Sequence, residues 1–594
     1  MSQPLRVGNA SGFYGDRFSA VREMLEGGPL DVLTGDYLAE LTMLILGRSR
    51  LKDPGAGYAA TFLRQMEESL GLAAERGVKI VTNAGGLNPR GLAERLRELA
   101  GRLGVEVRIA HVEGDDLLSR AGELGLSDAR YGDPLTANAY LGAWGIAECL
   151  RAGADVVVTG RVTDASLVVG PAAAHFGWAR DDWDALAGAT AAGHVLECGA
   201  QATGGNYAFF EEIYNVKPLG FPLAEIHPDG SSVITKHPGT GGAVTVETVT
   251  AQLLYEIGGP AYAGPDVITR FDTVHLTEEG PDRVRISGVE GSPPPATTKV
   301  CLNHLGGHRN EMTFVLTGLG IEAKAAFARA QMEAAFGDAP PARVEWTLVG
   351  GAKPDPATQG EATALLRCAV LDPDPEKVGR AFSGAVVELA LAGYPGFTMT
   401  SPPGKGSPYG VYKPAFVPNG EVEHVAVLPD GKRVPIPAVS VPAAPGVDVP
   451  SPARQPSPAG EVGETVRVPL GSVAGARSGD KGGDANIGVW ARTDAQWRWL
   501  EPFLTVERLN ELLPETRDHR VHRHPLPNLR AVNFVIEGLL QEGVSASTRF
   551  DPQGKALGEW LRSRLVDVPA SVLGPQDQAQ AQDQESTQKP EGVR

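Results

Sequence analysis

Residues 154–164, ADVVVTGRVTD, decide the fold, because an unbroken valine run leads into a charged and hydroxylated exit. A valine run without alternation predicts a strand buried on both faces, as strands inside parallel sheets are. Ligands usually bind at the carboxyl ends of such strands. Two earlier stretches have the same design, RVGNASGFYGD at residues 6–16 and VKIVTNAGGLN at residues 78–88. The sequence therefore predicts a binding site at one edge of a parallel sheet.

Strand and helix patterns alternate through residues 1–225, which predicts an α/β domain with a doubly wound, mostly parallel sheet. Asn88 is expected to cap a helix that begins at Pro89, where the missing N–H costs nothing. The predicted strands are 5–9, 30–34, 78–82, 105–111 and 155–158, and the predicted helices are 16–26, 38–46, 58–76 and 136–152.

The pattern changes near residue 225, and residues 226–437 are predicted to be an α+β continuation. An antiparallel hairpin is expected within residues 266–288, and a Pro/Gly-rich loop at 394–418. Helices at 320–336 and 374–391 should flank a strand at 342–349.

A Pro-rich linker is predicted at residues 438–460, followed by a small α+β domain at 461–570. Its order is strand, Gly-rich loop, strand, helix, two strands (the second STRFD, 547–551) and helix, which favours a ferredoxin-like arrangement. The polar, Gln-rich tail at 571–594 should be disordered.

Composition narrows the class of protein. The chain has 594 residues and a formal net charge of −18, which disfavours nucleic acid and anionic membranes as partners. Its four cysteines have no metal-site spacing, and no signal peptide or membrane-spanning apolar run is visible. We expect a cytoplasmic protein that binds a small molecule and, given its size, forms a homo-oligomer.

The common catalytic fingerprints are absent. Gly8, Gly12 and Gly15 do not have the GxGxxG spacing, although Asp31 and Asp36 keep an NAD-dependent oxidoreductase open as an alternative. A Walker A loop, a GxSxG elbow and an HExxH motif are not found. The chemistry must therefore come from other polar residues.

Polar residues at the ends of the predicted strands form the first candidate set. Arg161 suits a clamp for a carboxylate or phosphate, and Asp164 or Asp36 suits a general base. Asn83 and the backbone of Gly85 and Gly86 would orient the ligand, although turn formation alone also explains such residues. The remaining ligand-binding candidates at these ends are Asn9, Ser11, Gly12, Asn88 and Thr163.

His194 and Glu197 lie three residues apart on a predicted helix and so share a face. They could form an acid–base pair or hold a metal, or simply be hydrogen-bonded to each other. His519, His522 and His524 alternate with arginines, which disfavours metal binding. We assign no metal ligands, and a divalent metal stays open as a cofactor.

The second candidate set lies in ARSGDKGGDAN, residues 476–486, where three glycines and several charges follow a strand. Backbone N–H groups with lysine and arginine would form an anion-binding loop, whereas the alternative is a tight charged hairpin. The candidates for ligand binding are Arg477, Ser478, Asp480, Lys481, Asp484 and Asn486.

The chain resembles the acyclic terpene utilisation (AtuA) family along nearly its whole length. The N-terminal resemblance is carried by RVGNASGFYGDR, TNAGGLNP, VVVTGRVTDASL, HVLECGAQATGGN and YPGFTMTSPPG. A smaller AtuA-like domain is indicated by GARSGDKGGDANIGVWAR, LPNLRAVNFVIEGLL and VSASTRFDPQGKALGEWL.

The resemblance implies a metabolic enzyme that acts on a small carboxylate or branched acyl-CoA, with a CoA thioester as substrate. It suggests a lyase for a hydroxylated, glutaryl-type CoA ester in bacterial terpene breakdown. Such chemistry needs an anion clamp, a base and a polarising group. The alternative is a non-catalytic acyl-CoA-binding or accessory subunit of a carboxylase or lyase.

Overall fold

The N-terminal part begins with alternating strands and helices in a computed structural model that describes residues 3–214, 216–439 and 464–574. Its strands are β1 (Leu5–Asn9), β2 (Val32–Gly35), β3 (Lys79–Thr82), β4 (Ile109–Glu113), β5 (Thr136–Ala139) and β6 (Val156–Val158). Its helices are α1 (Ala20–Gly27), α2 (Glu40–Lys52), α3 (Ala60–Arg76), α4 (Pro89–Leu103), α5 (Trp144–Arg151), α6 (Ser166–Phe176), α7 (Trp183–Leu196) and α8 (Phe210–Ile213).

Five of these strands pair in parallel in the order β1-β2-β3-β6-β4. The valine run of β6 is buried on both faces, as predicted. Val157 packs in one hydrophobic cluster with Ile146 of α5, whereas Val156 and Val158 pack in another with Phe62 of α3. Alternating side chains thus serve two helical layers, which confirms the α/β class and the parallel arrangement of these five strands.

The predicted cap of α4 is confirmed. Asn88 Oδ1 accepts a hydrogen bond of 2.9 Å from the N–H of Gly91, and Pro89 is the first helical residue. The predicted helix at 136–152 is wrong in its first half, because residues 136–139 form β5. That strand pairs with residues 300–303, a distant partner that the local pattern cannot reveal.

The middle part adds strands β7 (Pro222–Ile226), β8 (Ser232–Lys236), β9 (Ala261–Ala263), β10 (Ile268–Arg270), β11 (His275–Gly280), β12 (Arg283–Ser287), β13 (Glu290–Ser292), β14 (Thr297–Thr317), β15 (Arg343–Val349), β16 (Thr363–Asp372), β17 (Thr398–Met399), β18 (Ser407–Pro418), β19 (Val425–Val427) and β20 (Arg433–Pro435). Its helices are α9 (Val246–Leu253), α10 (Ile321–Phe336) and α11 (Phe382–Ala392).

Antiparallel strands extend the parallel core on both sides. Within the described residues the sheet has eleven strands, ordered β11-β12-β8-β7-β1-β2-β3-β6-β4-β19-β20. The sheet as a whole is therefore mixed, with parallel pairing confined to its centre. The expected hairpin is present as β11 and β12, and the expected boundary at residue 225 falls within β7.

A second sheet is built around β14, a strand of 21 residues. It pairs antiparallel with β5, β16, β17 and β18, and β15 pairs with β16. Much of the loop predicted at 394–418 is wrong, because residues 407–418 form β18. Pro408, Pro414 and Pro418 favoured a loop by composition, but the strand is paired with residues 297–309 of β14.

The C-terminal domain contains β21 (Thr465–Pro469), β22 (Ala474–Lys481), β23 (Asp484–Ala491), α12 (Asp494–Phe503), α13 (Val506–Leu512), β24 (Val521–Leu526), β25 (Ala531–Ile536), α14 (Leu557–Arg562) and β26 (Leu565–Pro569). Its four-stranded sheet has the order β22-β23-β25-β24, and β21 pairs with β26. The strand predicted at 547–551 is not formed. The predicted linker from residue 440 onward and the predicted tail beyond residue 574 lie outside the described residues.

Residues 474–491 correct a further prediction. The Gly-rich stretch expected as a loop forms the antiparallel hairpin β22–β23, with Gly482 and Gly483 at its turn. Among the helices of the described ranges, none is both long and apolar enough to cross a membrane.

Candidate functional site

The carboxyl ends of β2 and β3 place two predicted site residues in contact. Asn83 Nδ2 donates a hydrogen bond of 2.6 Å to Asp36 Oδ1, and Asn83 Oδ1 accepts one of 2.7 Å from the N–H of Tyr37. Both side chains are buried. Burial, followed by the negative charge of Asp164, raises the pKa of Asp36 well above its usual value. This carboxyl group therefore binds its proton more tightly than that of an exposed aspartate.

Arg161, at the exit of β6, is 3% exposed and makes several contacts. Its Nη1 lies 2.7 Å from Asp164 Oδ1 and donates to the carbonyl of Leu38 at 3.3 Å. The guanidinium lies 4.2 Å from the ring centroid of Tyr140, and the backbone N–H donates to Asp115 Oδ2 at 2.8 Å. Arg161 is thus fixed in position, and it already binds a carboxylate of the protein, that of Asp164. Its role as a clamp for a ligand stays a prediction.

His194 and Glu197 meet at the end of α7, as their spacing predicts. His194 Nδ1 lies 3.1 Å from Glu197 Oε1, and both side chains are buried. Burial lowers the pKa of His194 to about 4, so its imidazole is neutral at neutral pH. Burial, and after it the charge of Asp164, raises the pKa of Glu197. Asn9 Nδ2 donates to the carbonyl of Leu196 at 2.5 Å, which ties the first strand to this helix end.

The hairpin of the C-terminal domain reaches the same region. Lys481 Nζ donates a hydrogen bond of 2.7 Å to the backbone carbonyl of Glu256. The guanidinium of Arg477 lies 4.2 Å from the ring centroid of Tyr255, and its Nη2 donates to Gln201 Oε1. The C-terminal hairpin therefore contacts both the N-terminal part, at Gln201, and the middle part, at Tyr255 and Glu256, within one chain.

Sequence reasoning missed several residues of the site. Tyr140 OH donates to Glu40 Oε1 at 3.3 Å, and Lys299 Nζ lies 4.8 Å from the Tyr140 ring centroid. Burial raises the pKa of Glu40, but the charges of Lys299 and Arg161 outweigh it, so the pKa is lowered. Lys299 lies in β14, where nothing in the local pattern marks it. Glu40 follows the Gly35-Asp36-Tyr37 turn closely enough that the turn could have drawn attention to it.

The ionisable side chains with shifted pKa values at this point, together with those whose charges contribute to the shifts, are called the charged cluster. Burial raises the pKa of Glu256, and burial followed by the charge of Lys299 lowers the pKa of Lys481. Lys481 is nevertheless exposed to solvent, and its sequence neighbours Asp480 and Gly482 line a cleft. The members of the cluster are Asp36, Glu40, Arg161, Asp164, Glu197, Glu256, Lys299 and Lys481.

A narrow cleft of about 40 Å³ adjoins this cluster between the N-terminal and C-terminal parts. Its lining includes Glu40 of α2, Tyr412 of β18 and Asp480 of the hairpin. Burial, followed by the charges of Glu256 and Glu40, raises the pKa of Asp480 to about 8. The cleft therefore contains one carboxyl group, that of Asp480, whose pKa lies near neutral pH, and it adjoins the cations of the charged cluster.

Other predicted site residues are occupied with local structure. Asn88 Nδ2 donates to the carbonyl of Gly55, and Thr163 Oγ1 lies 2.5 Å from Ser166 Oγ. A Cβ at Gly85 would lie 2.4 Å from the Thr159 carbonyl oxygen, so this glycine permits close packing.

The same holds for further members of the two candidate sets. The local contacts are Ser11 Oγ donating to the Phe13 carbonyl, Gly12 N donating to Asp16 Oδ2, Gly86 packed against Leu46 and Gly57, Ser478 Oγ accepting from Gly558 N, and Asp484 Oδ1 accepting from Gly538 N. The structure thus brings together Asp36, Asn83, Arg161, Asp164, His194, Glu197, Asp480 and Lys481.

A metal site is a separate question. No group of three or more histidine, cysteine, aspartate or glutamate side chains is arranged to hold a metal ion in the ranges that the structure describes. Arg161, Lys299 and Lys481 instead supply the positive charge of the site.

Comparison with protein families agrees with the fold. The model of the acyclic terpene utilisation family protein AtuA matches residues 5–428. The chain belongs to the AtuA family. The AtuA ferredoxin-like domain matches residues 468–567, which confirms the predicted class of the C-terminal domain. Neither the curated proteins nor the solved structures include a match to this chain. Membership of the AtuA family indicates a role in acyclic terpene utilisation.

Proposed function

We propose that this AtuA-family chain is an enzyme that acts on a small carboxylate or branched acyl-CoA thioester at the charged cluster. One observation carries the proposal. Lys299 and Lys481 come from different parts of the chain, and burial followed by the charge of Lys299 lowers the pKa of Lys481, yet no carboxylate of the described residues lies within ion-pair distance of either ammonium group. Two such cations beside a cleft are suited to an anionic ligand.

The carboxyl groups around these lysines favour proton transfer. The pKa values of Asp36, Glu197 and Asp480 are all raised, chiefly by burial. A raised pKa reduces the negative charge around the lysines, and Asp480, with a pKa of about 8, can act as an acid near neutral pH. Perturbed groups of this kind are concentrated at functional sites.

In the proposed site Arg161 and Asp164 act as a coupled pair at the wall, with the guanidinium orienting the ligand and the carboxylate serving as base. Asp36 is the second candidate base, oriented by Asn83. The finer proposal is a lyase for a hydroxylated, glutaryl-type CoA ester. It rests on the family resemblance and on the need of such chemistry for an anion clamp beside a proton-transfer group.

The test is turnover of a panel of branched acyl-CoA esters and free carboxylates by the purified full chain. Lys299→Ala and Lys481→Ala should each raise KM at least about tenfold, because each removes a charged contact of about 1.5–3 kcal/mol. Lys432→Ala, which alters an exposed lysine, is the matched control and should leave KM unchanged. Equal kinetics for all four proteins would refute the anion site.

A non-catalytic acyl-CoA-binding subunit is the other outcome of this test. It would bind the esters in calorimetry, with the same loss in Lys481→Ala, but would turn none of them over. An NAD-dependent oxidoreductase has less support, because the Gly-rich exit of β1 is covered. A Cβ at Gly12 would lie 2.7 Å from the backbone carbonyl carbon of Cys198, so little space is left there for a dinucleotide.

A further inference from the structure

Glu256 has an uncommon backbone conformation beside the charged cluster. Its φ is +55°, in the left-handed region that glycine and asparagine favour and that glutamate rarely adopts. The residue follows the end of α9, where a left-handed residue commonly ends a helix and is usually glycine. Gly258 and Gly259 stand close by in the sequence, yet glutamate occupies this position. A disfavoured conformation at a site needs surrounding contacts that hold it.

The C-terminal domain supplies those contacts from two directions. The N–H of Glu256 donates to Asn486 Oδ1 at 2.8 Å, and its carbonyl accepts from Lys481 Nζ at 2.7 Å. Asn486 Nδ2 also donates to the carbonyl of Leu254 at 2.8 Å. Asn533 Nδ2 donates further hydrogen bonds to the carbonyls of Ile257 and Gly258. Two buried asparagines thus hold the backbone of residues 254–258.

Two glycines of the hairpin let this segment come so close. A Cβ at Gly488 would lie 2.5 Å from Leu254 Cβ, and a Cβ at Gly479 would lie 2.5 Å from Tyr255 Cε2. Both distances are far below ordinary carbon contacts of about 3.5–4.0 Å. The glycine-rich stretch therefore shapes a flat surface for residues 254–256, in place of the anion-binding loop that its composition predicts.

We propose that Glu256 is a catalytic residue that gives a proton to a substrate oxygen, and that Asn486 is the residue that positions it. This inference rests on the proposed function. In the step, the O–H bond of the Glu256 carboxyl group breaks, a new O–H bond forms on the substrate, and the carboxylate that remains is later reprotonated from water. Lys481 and Lys555 stabilise that carboxylate, since their charges oppose the rise in its pKa.

The position of the half-buried Glu256 side chain against the hairpin favours this role, since a Cβ at Gly479 would lie 2.9 Å from Glu256 Cγ. Burial is the largest cause of its raised pKa, and its charge acts in turn on Glu197, Asp480 and His194. The carboxyl group is therefore close enough to these three side chains for its charge to act on them. Among the cluster members outside the C-terminal domain, Glu256 alone has backbone hydrogen bonds to that domain, as far as the described contacts go.

Steady-state kinetics of full-length variants on the acyl-CoA panel tests the inference. Glu256→Gln should lower kcat at least about 100-fold with little change in KM, as expected for loss of a general acid. Glu211→Gln, at an exposed glutamate, should match the wild type. Circular dichroism and melting curves would show that each variant is folded.

The role of Asn486 is tested by non-additivity. Asn486→Ala should lower kcat about tenfold or more and shift the basic limb of its pH profile, while the double variant should be no slower than Glu256→Gln alone. Losses that multiply would show a structural role that does not act through Glu256, and would overturn the positioning.

A third variant separates geometry from chemistry. Glu256→Gly should melt at an equal or higher temperature than the wild type, because glycine relieves the left-handed strain, and should still lose activity. Asp355→Gly, at an exposed left-handed residue with φ +47°, should melt likewise and stay active. Wild-type activity in Glu256→Gln would overturn the inference alone, whereas no turnover by the wild type would overturn the proposed function as well.

Discussion

Replacing Gly488 by alanine should separate the C-terminal sheet from the segment that it holds. The new Cβ would lie 2.5 Å from Leu254 Cβ and 3.2 Å from its Cδ1, so the two backbones must move apart by about 1 Å to reach normal contact. Overpacking of a core costs about 1–3 kcal/mol. The hydrogen bonds of Asn486 to the Glu256 N–H and the Leu254 carbonyl would lengthen, at about 1 kcal/mol each.

We therefore expect Gly488→Ala to lower the free energy of unfolding by about 3 kcal/mol, measured by urea denaturation, and to lower kcat as Glu256 moves. Gly71→Ala is the control. Gly71 is exposed in the middle of α3, and its Cβ would find only Val105 Cγ2 at 3.7 Å. Alanine there should stabilise the chain by about 1 kcal/mol. A Gly488→Ala variant within about 0.5 kcal/mol of the wild type would refute the close contact of the two parts.

Three further predictions concern other parts of the chain. Folding lowers the pKa of His194 to about 4, so the unfolded chain binds a proton there that the folded chain does not. The free energy of unfolding should therefore drop by up to about 3 kcal/mol as the pH falls from about 6.5 to 4. Urea denaturation at several pH values should show a weaker pH dependence for His194→Gln, but an unchanged one for His275→Gln, at an exposed histidine. Asn88→Ala should cost about 1 kcal/mol in a thermal melt, with most of the loss recovered by Asn88→Ser, which restores the cap. Arg492→Lys should cost about 1 kcal/mol, because lysine cannot reproduce the two hydrogen bonds of 2.6 and 2.8 Å to Glu212; equal stability of Arg492→Lys and the wild type would mean that solvent already replaces this contact.

The parallel centre of the N-terminal sheet was predictable because its signals are local. The valines of β6 determine burial on both faces, and Asn88 with Pro89 determines the start of α4. The parallel arrangement then places Asp36, Asn83 and Arg161 at one edge, whatever the rest of the chain does. The spacing of His194 and Glu197 on α7 is local in the same sense.

The rest depends on partners far along the chain. Residues 136–139 and 407–418 are strands because β14 pairs with them, and that pairing brings Lys299 of the same strand to Tyr140. The three glycines of residues 476–486 predicted a ligand loop by composition, and Gly488 lies just beyond them. Their structural role, close contact with Tyr255 and Leu254, depends on residues more than 200 positions earlier in the chain and so cannot be read from the local sequence.

The hydrogen bond from the Glu256 N–H to Asn486 gives the molecule a built-in reporter of domain separation. An amide that donates to a side chain of another domain exchanges its hydrogen with water only when the two domains part or the whole chain unfolds. Its exchange rate therefore measures how often the C-terminal sheet leaves residues 254–258. Ligand that bridges Lys299 and Lys481 should slow that exchange while leaving amides within α3 unaffected.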